Sequence, residues 1–285
     1  MGRRGERIVG GMGGARLRTL REAKGKTQLW AEVEAELGTG YLQRLESGRV
    51  ALPGRATLER VLEALGATYS ERCGILEQFG YTVSTTPPNA DEITWARGFC
   101  RRELDNVPFP AYVLDCTHRM IAWNAQTPRL FGLLPGDPTL GRLAGRSVLE
   151  AWFDDALPLA RLVAEPHEFL PAMIRAFRSE MRPFQVEPWS VAVLERLLTL
   201  PRFRRHYWSV LEDERAHGHA SAARALVPVR LIVPGAGRLQ FRLSAEHFVD
   251  DARFRLIYFF PADLPTMQWC ADGARMDAQA SVRTG

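Results

Sequence analysis

Four polar or small residues on one short segment could read the bases of DNA. Leu42 and Leu45 are three positions apart, so they share one face of a helix and can bury it. The opposite face then presents the remaining candidates, which are Thr39, Gly40, Gln43 and Arg44. The major groove admits a helix with a packed back and a short polar front, and Gln and Arg can form paired hydrogen bonds with base edges. The segment therefore predicts the second helix of a helix-turn-helix, with a merely exposed Arg44 as the alternative.

Residues that flank this helix are candidates for contacts to DNA phosphates. Thr27 is expected to cap the preceding helix, whose first residue, Gln28, could offer its side-chain amide to a phosphate. A capping or solvated glutamine is the alternative. Arg49 follows the second helix and would be drawn to phosphates, so DNA binding should weaken as salt rises. Together the predicted DNA contacts are Thr27, Gln28, Thr39, Gly40, Gln43, Arg44 and Arg49.

The elements that position these residues are predicted from hydrophobic spacing. Residues 15–82 carry apolar side chains at helical intervals, interrupted by glycine and proline, which predicts a compact all-α unit of five short helices. Residues 1–14 are expected to form a flexible basic arm. Residues 83–90 include two successive prolines, a composition typical of a linker.

Beyond the linker, residues 91–264 predict an α+β unit. Leu239, Phe241 and Leu243 alternate with polar residues, which is the period of a strand with one buried face. Two strands, a helical block and three further strands are, in that order, typical of a PAS-like sensor domain, an antiparallel sheet covered by helices. We predict a helix at 91–104, a helical block at 125–216, strands at 111–115, 119–124, 226–233, 238–243 and 253–260, and a disordered tail at 265–285.

The space between such a sheet and its helices can hold a small molecule. The side chains predicted to line it are Trp123, Leu239, Phe241, Leu243, Phe254, Leu256 and Tyr258 on the strands, and Phe169, Met173, Phe177, Trp208 and Leu211 on the helices. Ordinary core packing is the alternative for all of them. An acidic head group would need a cation or a hydrogen-bond donor, and the candidates are Arg230, Arg242, His206 and Tyr207.

Two motifs resemble one family of regulators. Residues 40–49, GYLQRLESGR, are followed by Pro53 and a helical run over 56–65, and together they resemble the MmyB-like members of the XRE, or phage-repressor-like, helix-turn-helix family. PAYVL at 110–114 and IAWN at 121–124 are similar to the opening of that family's PAS-like domain. The resemblance covers residues 15–135 at the level of motifs.

This resemblance implies both a fold and a function. The fold would be multidomain, with a lambda-repressor-like helix-turn-helix of five helices followed by the PAS-like domain. The function would be that of a bacterial transcription regulator whose sensor domain binds a medium- or long-chain fatty acid or a similar molecule. Arg21 and Glu46 would form a salt bridge between the first and third helices. Glu36 departs from the pattern, because it stands where the family usually has the turn glycine.

The resemblance also implies partners. Modules of this kind bind two half-sites, so we expect a homodimer on an operator in double-stranded DNA. The ligand would act by changing the packing of the helix at 91–104 and thereby the spacing of the two DNA-binding units. Two other functions stay open. One is a lipid-binding or scaffold protein whose helix-turn-helix contacts protein, and the other is a haem- or flavin-based sensor.

Composition excludes several classes of protein. The 285 residues are 46% hydrophobic and 25% charged, with a net charge of +4, as in a globular protein. No apolar run approaches the roughly 18 residues that span a bilayer, and the N-terminus lacks a secretory signal, so we predict a cytoplasmic protein, associated with the nucleoid when bound to DNA. The four cysteines form no CxxC pair, so we expect reduced thiols and no metal site. No nucleotide-binding or hydrolase motif occurs, which predicts a non-enzyme without an obligatory cofactor.

Overall fold

A computed structural model describes residues 2–83, 85–134, 137–217 and 229–284, and for residues 2–11, 158, 217 and 277–284 it describes the backbone alone. The chain divides into two compact units. One comprises Met1–Thr85 together with Val249–Ala252, and the other comprises Thr86–Phe248 together with Arg253–Gly285. The boundary after Thr85 falls inside the predicted linker.

The first unit is all-α. Its described residues form five helices, which are α1 (Gly2–Ala23), α2 (Gln28–Glu34), α3 (Tyr41–Glu46), α4 (Arg55–Ala64) and α5 (Tyr69–Gln78). Leucines at helical spacing give α1, α3 and α4 buried faces, and Leu17, Leu42 and Leu58 have no exposed surface. Local capping sets the helix starts, since Thr27 caps α2 and a capping box from Thr68 begins α5. The predicted helix-turn-helix fold is confirmed.

Helix α1 is longer than the sequence indicated. Its backbone is helical from Gly2, where we expected a flexible arm over residues 1–14, and the side chains of residues 1–11 lie outside the described part of the chain. Gly13 and Gly14 are buried, and a Cβ on Gly14 would come within 2.4 Å of the carbonyl oxygen of Leu45. These glycines permit α1 to pack closely on the end of α3, whereas in the sequence they suggested flexibility. Gly13 is thus the first buried residue among those whose burial the structure describes.

The turn between α2 and α3 uses left-handed backbone at two positions. Gly40, just before α3, has φ of 77°, and Glu36 has φ of 52°. Glycine adopts this conformation freely, but another residue pays about 1–2 kcal/mol for it. Glu36 therefore occupies the left-handed position itself, so the turn keeps its shape without a glycine there.

The second unit is built on an antiparallel sheet. Its strands are β1 (Ala111–Asp115), β2 (Met120–Trp123), β3 (Val229–Val233), β4 (Gly237–His247) and β5 (Phe254–Pro261), in the order β2-β1-β5-β4-β3. The turn from β1 to β2 is organised by Asp115, whose carboxylate accepts the N–H groups of Thr117 at 2.8 Å and Arg119 at 3.0 Å. Residues 226–228, predicted as the start of β3, lie outside the described residues. The predicted PAS-like α+β fold is confirmed.

Helices cover both faces of this sheet. Helix α6 (Ala90–Asn106) packs on one face, mainly through Ala96, Cys100 and Leu104. The other face carries a larger core made with the remaining helices, which are α7 (Gln126–Leu130), α8 (Pro138–Leu143), α9 (Val148–Phe153), α10 (Pro166–Met181), α11 (Pro188–Leu198), α12 (Pro201–His217) and α13 (Leu264–Thr284). Short 3₁₀ turns at Pro158–Arg161 and Arg182–Phe184 interrupt this helical block.

Residues 265–284, which we predicted to lie in a disordered tail over 265–285, belong to helix α13. Helix α13 packs on the sheet, and the Thr266 hydroxyl accepts the N–H of Gln240 in β4 at 2.9 Å. Trp269 contacts the core and lies under the guanidinium of Arg129 at 4.2 Å. Polar residues and alanines at the outer positions of this helix hid its buried side in the sequence. The side chains of residues 277–285 lie outside the description.

Candidate DNA-binding and ligand-binding sites

Helix α3 presents its predicted polar face to solvent. Leu42 and Leu45 are fully buried, whereas Thr39, Gln43 and Arg44 are exposed. Gly40, at the start of the helix, is partly exposed, and because it has no side chain another molecule can approach the backbone closely there. The helix therefore offers one amide and one guanidinium from a short, otherwise small-residue front, which is the shape a major groove can accept.

The start of α3 is held by an acidic residue that the sequence analysis missed. Glu32, in α2, is buried, and its carboxylate accepts the N–H of Leu42 at 2.7 Å and that of Gly40 at 3.0 Å. These are among the N–H groups that a helix start leaves without an intrahelical partner. The sequence did offer one signal, since Glu32 falls on the buried side of α2 beside Ala31.

The other end of α3 is tied to α1 by a buried ion pair. Arg21 binds both carboxylate oxygens of Glu46, with Nε–Oε1 and Nη2–Oε2 distances of 2.6 and 2.9 Å. The hydrogen bond to Glu46 raises the pKa of Arg21, which favours the charged guanidinium. Gln28 also donates to Glu46, at 2.8 Å. This arrangement fixes the angle of α3 and ties the Gln28 amide to its last residue.

A notch beside α3 gathers polar groups that suit a phosphate. It encloses about 580 Å³ and is lined by Arg18, Arg21, Lys26, Thr27, Gln28, Gln43, Glu46 and Ser47. Lys26 lies 4.0 Å from the centre of the Trp30 ring, which orients its ammonium group. Thr27 uses its hydroxyl to accept the N–H of Trp30 at 3.1 Å, so it is a helix cap as well as part of the notch. Arg49 is exposed just beyond α3.

A second concavity lies in the other unit, among α10, α11 and α12. This groove encloses about 870 Å³, within the range of small-molecule sites. Its apolar lining includes Phe177, Met181, Leu194, Leu198 and Tyr207. Phe177 and Met181 are buried, so the groove floor is continuous with the core of the unit.

Three arginines line this groove together with two acids, Glu195 and Glu214. Arg178 lies 2.9 Å from the Glu214 carboxylate and 5.7 Å from the centre of the Tyr207 ring. Arg175 pairs with Asp213 at 2.7 Å. Arg182 is exposed at the groove margin and has no ion-pair partner among the described residues. Apolar walls beside guanidinium groups suit an amphipathic anion.

Comparison with known families decides what these two sites belong to. The profile of the MmyB-like transcription regulator ligand binding domain matches residues 97–271, more than half of the chain. The chain belongs to the MmyB-like transcription regulators. A helix-turn-helix domain profile matches residues 14–72, which contain α2, α3 and the notch. This regulator therefore joins a DNA-binding helix-turn-helix to a ligand-binding domain, and both matched families are regulatory rather than enzymatic.

Other comparisons add little to this assignment. No curated protein matches this regulator. One solved structure, "Structure of an RNA-binding Light-Oxygen-Voltage Receptor", is 12% identical with a TM-score of 0.25, and the match covers 93% of this chain and 62% of that chain. So low a TM-score supports no argument about fold or function. Among the described residues, no helix combines the length and apolarity that a membrane span requires.

The predicted ligand lining of the regulator is divided between the two faces of its sheet. Leu239, Phe241 and Leu243 lie in the larger core, as does Trp123 at its margin. Phe254, Leu256 and Tyr258 instead face α6 on the opposite side, so their assignment to the same wall was wrong. Strand β5 lies in the middle of the sheet and is nearly all buried, so apolar and polar residues do not alternate along its sequence. The pairing of Phe259 with Leu243 decides which side chains of β5 point to which face of the sheet.

The helical residues of the predicted lining are also dispersed. Phe169 and Met173 are buried in the larger core, where the side chains pack on one another, and of the twelve predicted apolar residues only Phe177 also lines the groove. Trp208 is 51% exposed and Leu211 is half-buried, both on α12. The predicted lining thus describes core for the most part, which was the alternative interpretation.

Arg230 is not placed to meet a ligand in the groove. Its neighbours Val229 and Leu231 enter the larger core, so alternation along β3 turns Arg230 to the other face. There it lies 3.3 Å from Gln240 and 3.8 Å from Glu165. Of the candidates for a head-group partner, Tyr207 lines the groove, and the groove's own arginines were not singled out in the sequence.

Proposed function

We propose that this regulator binds an operator in double-stranded DNA by inserting α3 into the major groove. Gln43 and Arg44 would contact base edges, with Thr39 and Gly40 allowing a close approach. The observation that supports this proposal is the exposed polar front of α3, rigidly held at its start by Glu32 and at its end by Arg21 and Glu46. A fixed helix loses little conformational entropy on binding.

Contacts to the DNA backbone would come from the notch beside α3 and from Arg49 just beyond that helix. Lys26, Gln28 and Arg49 are the proposed phosphate contacts, with Thr27 at the edge of the notch. These contacts carry no sequence information but set the register of α3 on the duplex. They also make affinity fall with rising salt, because counterions are released from the DNA.

The regulator would bind as a homodimer on an inverted repeat, in the cytoplasm of a bacterium and on its nucleoid. Selection of binding sites from a random duplex pool by the full chain tests this. We expect enriched sequences with two half-sites whose centres are about 10–10.5 base pairs apart, or a multiple of that spacing. Recovery of no enriched motif would overturn operator binding and favour the alternative, a lipid-binding or scaffold protein whose helix-turn-helix contacts protein.

The proposed ligand of the second unit is a medium- or long-chain fatty acid in the groove among α10, α11 and α12. The acyl chain would lie along Phe177, Met181, Leu194 and Leu198, gaining about 0.8 kcal/mol for each buried CH₂. The carboxylate would bind Arg178 or Arg182. The groove's combination of apolar walls and arginines supports this choice.

A physical connection runs from the groove to the sheet. Glu180 is on α10, whose neighbouring residues line the groove, and its carboxylate lies 2.8 Å from Arg255 on β5. The residues flanking Arg255, Phe254 and Leu256, pack against α6. A ligand that shifts α10 would therefore act on α6 through β5, provided that it binds one arrangement better than the other.

Native mass spectrometry of the purified regulator tests the ligand. We expect a bound fatty acid, or stoichiometric binding when palmitate is added to delipidated protein. Operator affinity should then differ between the delipidated and the palmitate-loaded protein. Equal affinity would remove the regulatory role, failure to bind palmitate would remove the ligand class, and a visible absorption band would favour the haem or flavin alternative.

A further inference from the structure

The outer side of α6 carries an aromatic patch. Trp95 is 41% exposed and Phe99 is 56% exposed, and their rings stack with centroids 5.3 Å apart. The Phe99 ring also lies 5.4 Å from that of Phe248, which connects the patch to the core beneath α6. Clustered exposed aromatic side chains are typical of protein interfaces.

Gly98 lies on the same side of α6, in the middle of a helix of 17 residues. A glycine inside a helix costs about 1 kcal/mol relative to alanine. A Cβ built on Gly98 meets no atom within 4 Å, so the described residues of this chain do not require its small size. Close approach of another molecule would explain the glycine.

Opposite charges stand on either side of the patch. At 100° per residue, Asp91, Trp95, Gly98, Phe99 and Arg102 fall within roughly 100° of the helix circumference, on the side away from the sheet. Asp91 and Arg102 are exposed, and neither has an ion-pair partner among the described residues. We define these five residues as the α6 face.

The geometry points to the α6 face as a dimer interface, in which α6 packs antiparallel on α6 of a second copy. Placing Trp95 opposite Gly98 of the second copy puts the two-fold axis between residues 96 and 97. The same register places Asp91 opposite Arg102 of the second copy at both ends of the contact. The Trp95 ring of each copy would then pack on Gly98 of the other, and the Asp91 carboxylate of each copy would pair with the Arg102 guanidinium of the other.

A second copy fits this face because the face is complementary to itself under a two-fold axis. The inference rests on the proposed homodimeric binding of DNA and identifies the surface that would form the dimer. It also gives α6 a direct role in setting the spacing of the DNA-binding units, since α6 is the first element after the linker.

Light scattering after size exclusion tests this with the full chain. We expect wild type near 64 kDa, which is twice the 32.0 kDa of one chain, at tens of micromolar. Gly98→Leu should weaken self-association at least tenfold while the helical circular-dichroism signal stays that of wild type, because leucine favours helix. Trp95→Ala should weaken it similarly. Trp208→Ala, which removes a comparably exposed tryptophan from α12, is the matched control and should remain dimeric.

Charge exchange tests the antiparallel register. Asp91→Arg or Arg102→Asp alone should weaken the dimer several-fold, and the double exchange Asp91→Arg/Arg102→Asp should restore it. A monomeric wild type, or a dimer indifferent to Gly98→Leu and Trp95→Ala, would overturn the interface. The DNA selection separates this proposal from the proposed function. If these changes weaken the dimer but no operator is enriched, only the proposed operator binding is overturned. If an operator is enriched but the dimer is unaffected by these changes, only the α6 interface is overturned.

Discussion

The carboxylate of Glu32 in α2 accepts the backbone N–H of Leu42 in α3 at a distance of 2.7 Å. Its second oxygen accepts the N–H of Gly40 at 3.0 Å. The first helix of the motif thus holds the start of the second through a buried acid. The orientation of the polar front of α3 therefore depends on a side chain that is itself buried.

Glu32→Ala should destabilise the first unit by about 2–3 kcal/mol, because one buried and one part-buried N–H group lose a charged acceptor. Calorimetry of the full chain, together with hydrogen exchange over residues 39–47, measures the effect. We expect faster exchange in α3 and weaker operator binding. Glu34→Ala, which removes an exposed acid from the same helix, is the control. Equal stability of the two variants would show that the Glu32 cap is unimportant.

Glu36→Gly should stabilise the first unit by up to about 1 kcal/mol. The left-handed backbone at Glu36 strains any residue with a Cβ, and glycine removes that strain while adding some entropy to the unfolded chain. The melting temperature of the variant measures this. Glu34→Gly, within helix α2, should have the opposite sign. A destabilising Glu36→Gly would contradict the assigned turn geometry.

Arg178→Met should weaken palmitate binding about tenfold, since it removes a cation but keeps an apolar stem in the groove. Glu214→Gln should strengthen palmitate binding, because the Glu214 carboxylate competes for Arg178. Isothermal titration with delipidated protein measures both. Arg196→Met removes an arginine that pairs with Glu150 away from the groove lining, and it should leave affinity unchanged. Identical affinities in all three variants would place the head group elsewhere.

Burial raises the pKa of Cys100 and of Cys270 to about 11. Near pH 8 only about one thiol in a thousand would then be a thiolate, so both should react slowly with an alkylating reagent. Because a raised thiol pKa favours the protonated form, the labelling rate should rise about tenfold per pH unit until about pH 11. Pulse labelling with peptide mapping measures this, with urea-unfolded protein as the control. Rapid native labelling of either thiol would contradict the packing of α6 or α13.

The helices and strands could be predicted well where a local pattern decided them. The leucines of α3 identified its buried face, Thr27 identified the start of α2, and Ala111–Asp115 was predicted with the bounds that the structure has. The Arg21–Glu46 pair was available only through the family resemblance, because 25 residues separate the two side chains. Local periodicity contains no information about such a distance.

Features that depend on tertiary pairing could not be predicted. Which side chains of β5 point to each face of the sheet is set by pairing with β1 and β4. A strand buried on both faces has no alternation of apolar and polar residues from which this could be predicted. The groove proposed for the ligand lies between helices rather than under the sheet, and Arg178 looked like any other arginine of an arginine-rich chain. Of the 37 basic residues only Lys24 and Lys26 are lysine, so arginine content by itself distinguished no site.

Titration of the selected operator with wild type and with Gln43→Ala/Arg44→Ala tests the central claim most directly. We predict that wild type binds with salt-dependent affinity, and that the variant loses preference for the operator over a scrambled duplex, with Arg44 accounting for about 1–3 kcal/mol of discrimination at one base pair. Glu34→Ala, on the neighbouring helix, should bind as wild type does. Undiminished discrimination by the double variant, or no binding by wild type in dilute buffer, would contradict DNA recognition by α3.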